Sequence, residues 1–122
     1  MEYVYLTHSA LELVLGAIKL RGRYQHEAVG SRLPRSEMYT RHHGASILSL
    51  ALLSWLVYSA GEIHSAVGRG ASLVLAVFHG GAVLSFLYAY GHGAIPISKV
   101  IIPHTPYALA FAWHAGTPLD VR

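Results

Sequence analysis

From Gly70 to Tyr90 the chain reads GASLVLAVFHGGAVLSFLYAY, a stretch without Asp, Glu, Lys or Arg and with one ionisable side chain, His79, near its middle. A helix rises about 1.5 Å per residue and the hydrocarbon core of a bilayer is about 30 Å thick, so roughly 20 apolar residues reach across it. The segment predicts a membrane-spanning helix that carries an imidazole at depth.

Three further blocks follow the same rule to different degrees. Residues 44–61, GASILSLALLSWLVYSAG, are charge-free and of similar length; residues 100–116, VIIPHTPYALAFAWHAG, are shorter and hold two prolines; residues 3–20 include Glu12 and end near Lys19. A composition of 53% hydrophobic and 12% charged residues supplies little polar surface for a water-soluble domain of 122 residues. The blocks at 44–61 and 70–90 are apolar almost all round, which suits a helix surrounded by protein or lipid. The expected fold is all-α: one transmembrane domain over 1–122, an up-and-down four-helix bundle spanning the membrane at 3–20, 44–61, 70–90 and 100–116.

The basic residues give that bundle a direction. Lys19, Arg21, Arg23, Arg32, Arg35 and Arg41 lie in or beside the first connection, the basic loop 21–43, whereas the second contains Arg69 and the third Lys99. The positive-inside rule then puts the first and third connections in the cytoplasm and both termini on the other side, in a membrane whose identity the sequence leaves open. The pI near 9.4 follows from this asymmetry without nucleic acid as a partner. The first residues carry no basic n-region, so the first helix is expected to be retained rather than cleaved as a signal peptide. The absence of cysteine excludes disulfides, thiolate metal sites and a cysteine nucleophile.

Within the loop, Pro34 favours a turn, with a new helix expected to begin near Ser36 or Glu37. Packing between spans is expected along small residues four apart, Ser72, Ala76 and Gly80 on the third and Ala108, Ala112 and Gly116 on the fourth. Pro103 and Pro106 are expected to distort the inner end of the fourth helix. The tyrosines near span ends fit an aromatic belt.

Any chemistry must come from ionisable groups at membrane depth, where an isolated charge costs about 2.5 to 3.5 kcal/mol and such groups face the interior with partners. Glu12 and His79 fall near mid-span, and His8 and His114 in the outer half. His8 and Glu12 are four residues apart and share one helical face. These four are the candidate site. Three kinds of chemistry fit it. A carboxylate beside an imidazole in a dry cavity is a general acid/base pair for isomerising, cyclising or opening a lipophilic substrate. Imidazoles with a carboxylate bind zinc or iron. Two facing histidines hold a haem. The cofactor is therefore open between metal, haem and none. His42, His43, His92 and His104 are assigned to the inner surface, and His26 and His64 to loops.

The run Leu11-Glu12-Leu13-Val14-Leu15-Gly16-Ala17 in a first span, followed by a basic loop and three more spans, resembles the DoxX-like small four-helix membrane proteins. That group is functionally diverse, and the resemblance implies the span layout but no catalytic residue. The histidine-rich layout is also similar to the small membrane anthrone oxygenases of fungal polyketide pathways, with no motif in common. Two functional expectations stand together. One is a membrane-embedded enzyme acting on a hydrophobic small molecule; the other is a non-catalytic subunit or assembly factor of a membrane complex, docking a second copy or a membrane partner.

Overall fold

The computed structural model describes residues 1–21, 34–93, 98 and 104–118, with the backbone alone at 34–38. Among these residues the chain is all-α: α1 (Glu2–Leu20), α2 (Pro34–Ser59), α3 (Ala66–Gly91) and α4 (His104–Gly116), with no strand. The inner part of the basic loop, including Arg23, His26 and Arg32, lies outside the described residues, as do Pro96, Lys99 and the expected start of the fourth span at 100–103.

α2 and α3 are longer at their N-terminal ends than charge-free blocks imply. α2 begins at Pro34, two residues before the expected start, because a first-turn proline gives up an N–H that has no intrahelical acceptor anyway. It then runs unbroken through His42 and His43 for 26 residues, about 39 Å. α3 begins at Ala66 because Ser65 caps it: its Oγ accepts from the backbone N–H groups of Val67 (3.1 Å) and Gly68 (3.2 Å) and donates to the Glu62 carbonyl (2.8 Å). Arg69 therefore stands in the first turn of a helix and not in a connection. Pro106 falls in the first turn of α4, where it does not distort the helix.

α2 stops at a turn of Schellman type. Gly61, at φ 71°, donates its N–H to the Tyr58 carbonyl, and Glu62 donates to that of Val57 (both 3.1 Å). Glycine takes this left-handed conformation without the Cβ clash that opposes it elsewhere. One helix is long and apolar enough to cross a membrane among the described residues, α3, with a mean hydropathy of 1.8 over its best window.

Two compact units make up the chain, Tyr5–Leu56 and Val57–Arg122 together with Met1–Val4. In the first, α1 and α2 cross at two glycines. A Cβ on Gly44 would lie 2.8 Å from the Leu20 backbone nitrogen and 3.0 Å from the Gly16 carbonyl oxygen, and one on Gly16 would meet Leu48 at 2.7 Å. This is the close helix approach that small residues permit. The buried positions of α2 in this unit among the described residues, Gly44, Ile47, Ala51 and Ser54, repeat at three and four residues and form its seam.

In the second unit α3 packs along α4. The expected small-residue seams take part differently from their pattern. Ser72 is fully buried, but Ala76, Ala112 and Gly116 line an open groove of about 430 Å³ with Arg69 at one end. A Cβ at Gly80 or Gly116 would meet nothing within 4 Å. The tight glycine of this unit is Gly68, whose Cβ would lie 2.2 Å from the Glu62 and Ile63 carbonyl oxygens. Arg69 closes the far end of α4: its guanidinium donates to the carbonyls of His114 (3.0 Å), Thr117 and Pro118 (2.8 Å). A cation is favourable at this C-terminus, where carbonyls lack helical donors.

Candidate functional site

Polar and ionisable side chains share the interior with apolar ones such as Tyr5, Leu75 and Phe111, while much of the surface is apolar. His8, Ser54, Ser72 and His79 are fully buried, Glu12 is 1% exposed and His114 3% exposed. Leu13, Leu52, Trp55, Leu73, Val77, Leu84 and Trp113 are exposed. The two stripes responsible have one spacing: Tyr5, His8, Ser9, Glu12 and Gly16 on α1, and Gly68, Ala71, Ser72, Leu75 and His79 on α3. Positions at three and four residues form a single helix face, and on α1 that face is polar.

In the α1–α2 unit, the Nδ1 of His8 lies 2.8 Å from the Ser54 hydroxyl, and the Ser9 hydroxyl donates to the Ala51 carbonyl at 3.0 Å. The bond to Ser54 fixes the ring and gives any further role of this imidazole to Nε2. Glu12 stands one turn further along the buried face, and a ligand nitrogen of His8 and an oxygen of Glu12 lie within 4.8 Å of one another. Sequence spacing brings these two together as expected. Beside them, on the outer side of the helix pair, Leu6, Ala10, Leu13, Leu48, Leu52 and Trp55 line an apolar groove of about 530 Å³.

In the α3–α4 unit, each predicted histidine has a partner that sequence reasoning missed. The Nδ1 of His114 lies 2.7 Å from the Ser72 hydroxyl. His79 places its Nδ1 2.9 Å from the Nδ1 of His104, the first residue of α4. Two nitrogens at that distance share one proton, since one must donate and the other accept. His104 is thus the partner of His79. The aromatic rings of Phe78, Tyr107 and Phe111 surround His79 with centroids 5.3, 5.4 and 6.3 Å away. His64, expected as a plain loop residue, presents its ring edge-on to His114 at 5.8 Å.

The remaining histidines keep local roles. His92 donates from Nδ1 to the Tyr88 carbonyl at 2.8 Å and caps α3, and the His42 carbonyl accepts from Ser46 at 3.1 Å. His43 titrates below the ordinary histidine range, first because its surroundings desolvate the imidazolium and second because the Lys19 ammonium repels it.

The two histidine arrangements differ in what they can hold. A tetrahedral zinc with bonds of about 2.0 to 2.1 Å needs its nitrogen ligands roughly 3.3 Å apart, wider than the His79–His104 contact, which is a hydrogen bond. His8 and Glu12 offer one nitrogen and one carboxylate from a single turn of α1, with Ser54 holding the other nitrogen of His8. No family model, curated protein or solved structure matches this chain. The DoxX-like resemblance rests on the Leu11 to Ala17 run and the span layout alone.

Proposed function

We propose that this chain is a multi-pass membrane protein, with both termini on the non-cytoplasmic side, and that it is an enzyme acting on a lipophilic small molecule through Glu12, His79, His8 and His114. The observation that carries the reading is a carboxylate, imidazoles and serines buried beneath a surface rich in exposed leucine, valine and tryptophan. In water the exposed apolar surface would be costly, whereas in lipid it costs nothing and the buried polar groups are the expensive ones. Such groups persist where they have work to do. A buried imidazole with one nitrogen fixed by a hydroxyl or a second imidazole is oriented for proton transfer at the other nitrogen. The apolar groove beside α1 suits a hydrocarbon substrate arriving from the bilayer.

The absence of cysteine makes topology directly testable. Single cysteines at Glu2 and Glu62 are expected to react with an impermeant maleimide in intact cells, and cysteines at Gln25 and Ser98 only after permeabilisation. Uniform labelling of all four would overturn the multi-pass reading. For the enzyme, Glu12→Gln and His79→Ala are expected to abolish conversion of lipophilic compounds in reconstituted vesicles while the protein stays folded; unchanged turnover would remove it.

A second reading is favoured by the α3–α4 groove, where Ala76, Ala112 and Gly116 leave room for another helix. In this reading the chain is a non-catalytic subunit of a membrane complex. Copurification of a stoichiometric membrane protein, lost in Ala112→Leu, supports it; a lone, stable monomer in detergent counts against it.

A further inference from the structure

We infer that His8 and Glu12 of α1 form the protein half of a divalent transition-metal site of the zinc or iron class, with Ser54 of α2 as the residue that orients its histidine. The inference rests on the proposed working role of these two residues and names the cofactor they take.

Four observations meet here. His8 and Glu12 sit one turn apart on one face of a helix, the arrangement by which a helix presents two ligands to one ion. Their ligand atoms are within 4.8 Å of one another, and a metal with bonds of about 2.0 to 2.2 Å draws adjacent ligands to roughly 3 Å, a change that rotation about the glutamate side chain supplies. Ser54 stands 2.8 Å from the His8 Nδ1. With Nδ1 as the donor and the serine oxygen as the acceptor, the lone pair is on Nε2, which is how a ligating histidine is set by its outer partner. Finally, Glu12 is 1% exposed and His8 fully buried. A divalent ion bound by the two residues offsets the cost of an ionised carboxylate at that depth.

One imidazole nitrogen and one carboxylate oxygen are hard-to-borderline ligands, which exclude copper(I) and favour zinc or ferrous iron. Positions left open on such an ion take a water or the oxygen of a substrate, and the ion polarises that oxygen.

The test is metal content and cobalt spectroscopy of the full chain, purified in detergent without a polyhistidine tag. The wild type is expected to bind one Co²⁺ per chain with a visible d–d band, displaced by one equivalent of Zn²⁺. Ser54→Ala is expected to weaken binding about 10- to 100-fold, and Glu12→Gln and His8→Asn to abolish the band, each with wild-type helical content by circular dichroism. His42→Ala/His43→Ala is expected to leave it unchanged. Folded wild type without stoichiometric metal or a d–d band, or a band that survives Glu12→Gln, would overturn the site. That result leaves a metal-free acid/base enzyme standing, because turnover is read separately.

Discussion

The Nδ1 atoms of His79 and His104 lie 2.9 Å apart, joining the middle of α3 to the first residue of α4. One proton lies between the two rings, so the four ring nitrogens of the pair carry at most three protons while the contact lasts. The bond commits Nδ1 of His79, so that in the proposed function proton transfer falls to its Nε2.

Removing the partner frees that choice. In His104→Ala, ¹⁵N spectra of labelled histidine are expected to show His79 passing from a single tautomer to a mixture, with turnover falling about tenfold or more as its base is no longer fixed. His104→Asn, which keeps a donor and an acceptor, is expected to restore part of the loss. An unaltered His79 spectrum in His104→Ala would contradict the shared proton.

The glycines divide into those that touch and those that do not. Gly68→Ala drives a methyl into two carbonyl oxygens and Gly44→Ala drives one into the Leu20 backbone, so each is expected to lose about 1 to 3 kcal/mol or more. Gly80→Ala meets open space and is expected to be neutral or to gain up to about 1 kcal/mol from helix propensity. Thermal unfolding in one detergent ranks the three variants.

The Ser65 cap and the Arg69 latch act at the same end of the α3–α4 pair, where α3 begins and α4 ends. Ser65→Ala gives up two backbone donors at the start of α3 and is expected to cost about 1 kcal/mol. Arg69→Gln shortens the reach to the α4 carbonyls and is expected to cost about 1 to 3 kcal/mol, read as faster amide exchange at Thr117 and its neighbours.

His43, on α2, gives the chain a pH dependence. Its folded pKa is lowered, so as pH falls below the ordinary histidine value the unfolded chain takes the proton first and stability declines until pH passes the folded pKa. Lys19→Gln removes the repulsion and is expected to raise the His43 titration midpoint by NMR and to weaken this decline. A midpoint unmoved by Lys19→Gln would assign the whole effect to desolvation.

The helices were legible from hydropathy because each carries a continuous apolar block, and their starts were not, because Pro34 and Ser65 act through backbone donors rather than through apolarity. The candidate residues were legible as ionisable groups inside those blocks, His8 and Glu12 even as a pair, since four-residue spacing fixes their face. Their partners were not. Ser54 and Ser72 look like the tolerated serines of any membrane span, and His104, between prolines, signals a helix start and says nothing of which α3 residue lies opposite it. Small residues four apart marked seams on α3 and α4, which do pack together, yet Gly80 and Gly116 stand clear and the close approaches lie at Gly16, Gly44 and Gly68, single glycines whose meaning depends on local register.

Arg69 also has a place in time. Its acceptors on α4, from His114 to Pro118, are synthesised 45 to 49 residues after it. A ribosome adding about 5 to 20 residues per second leaves the guanidinium waiting for some seconds, with its desolvation postponed until the last helix arrives. The α3–α4 hairpin, first joined at His79 and His104, is thus latched by later residues, and a chain arrested before residue 114 lacks the acceptors of that latch.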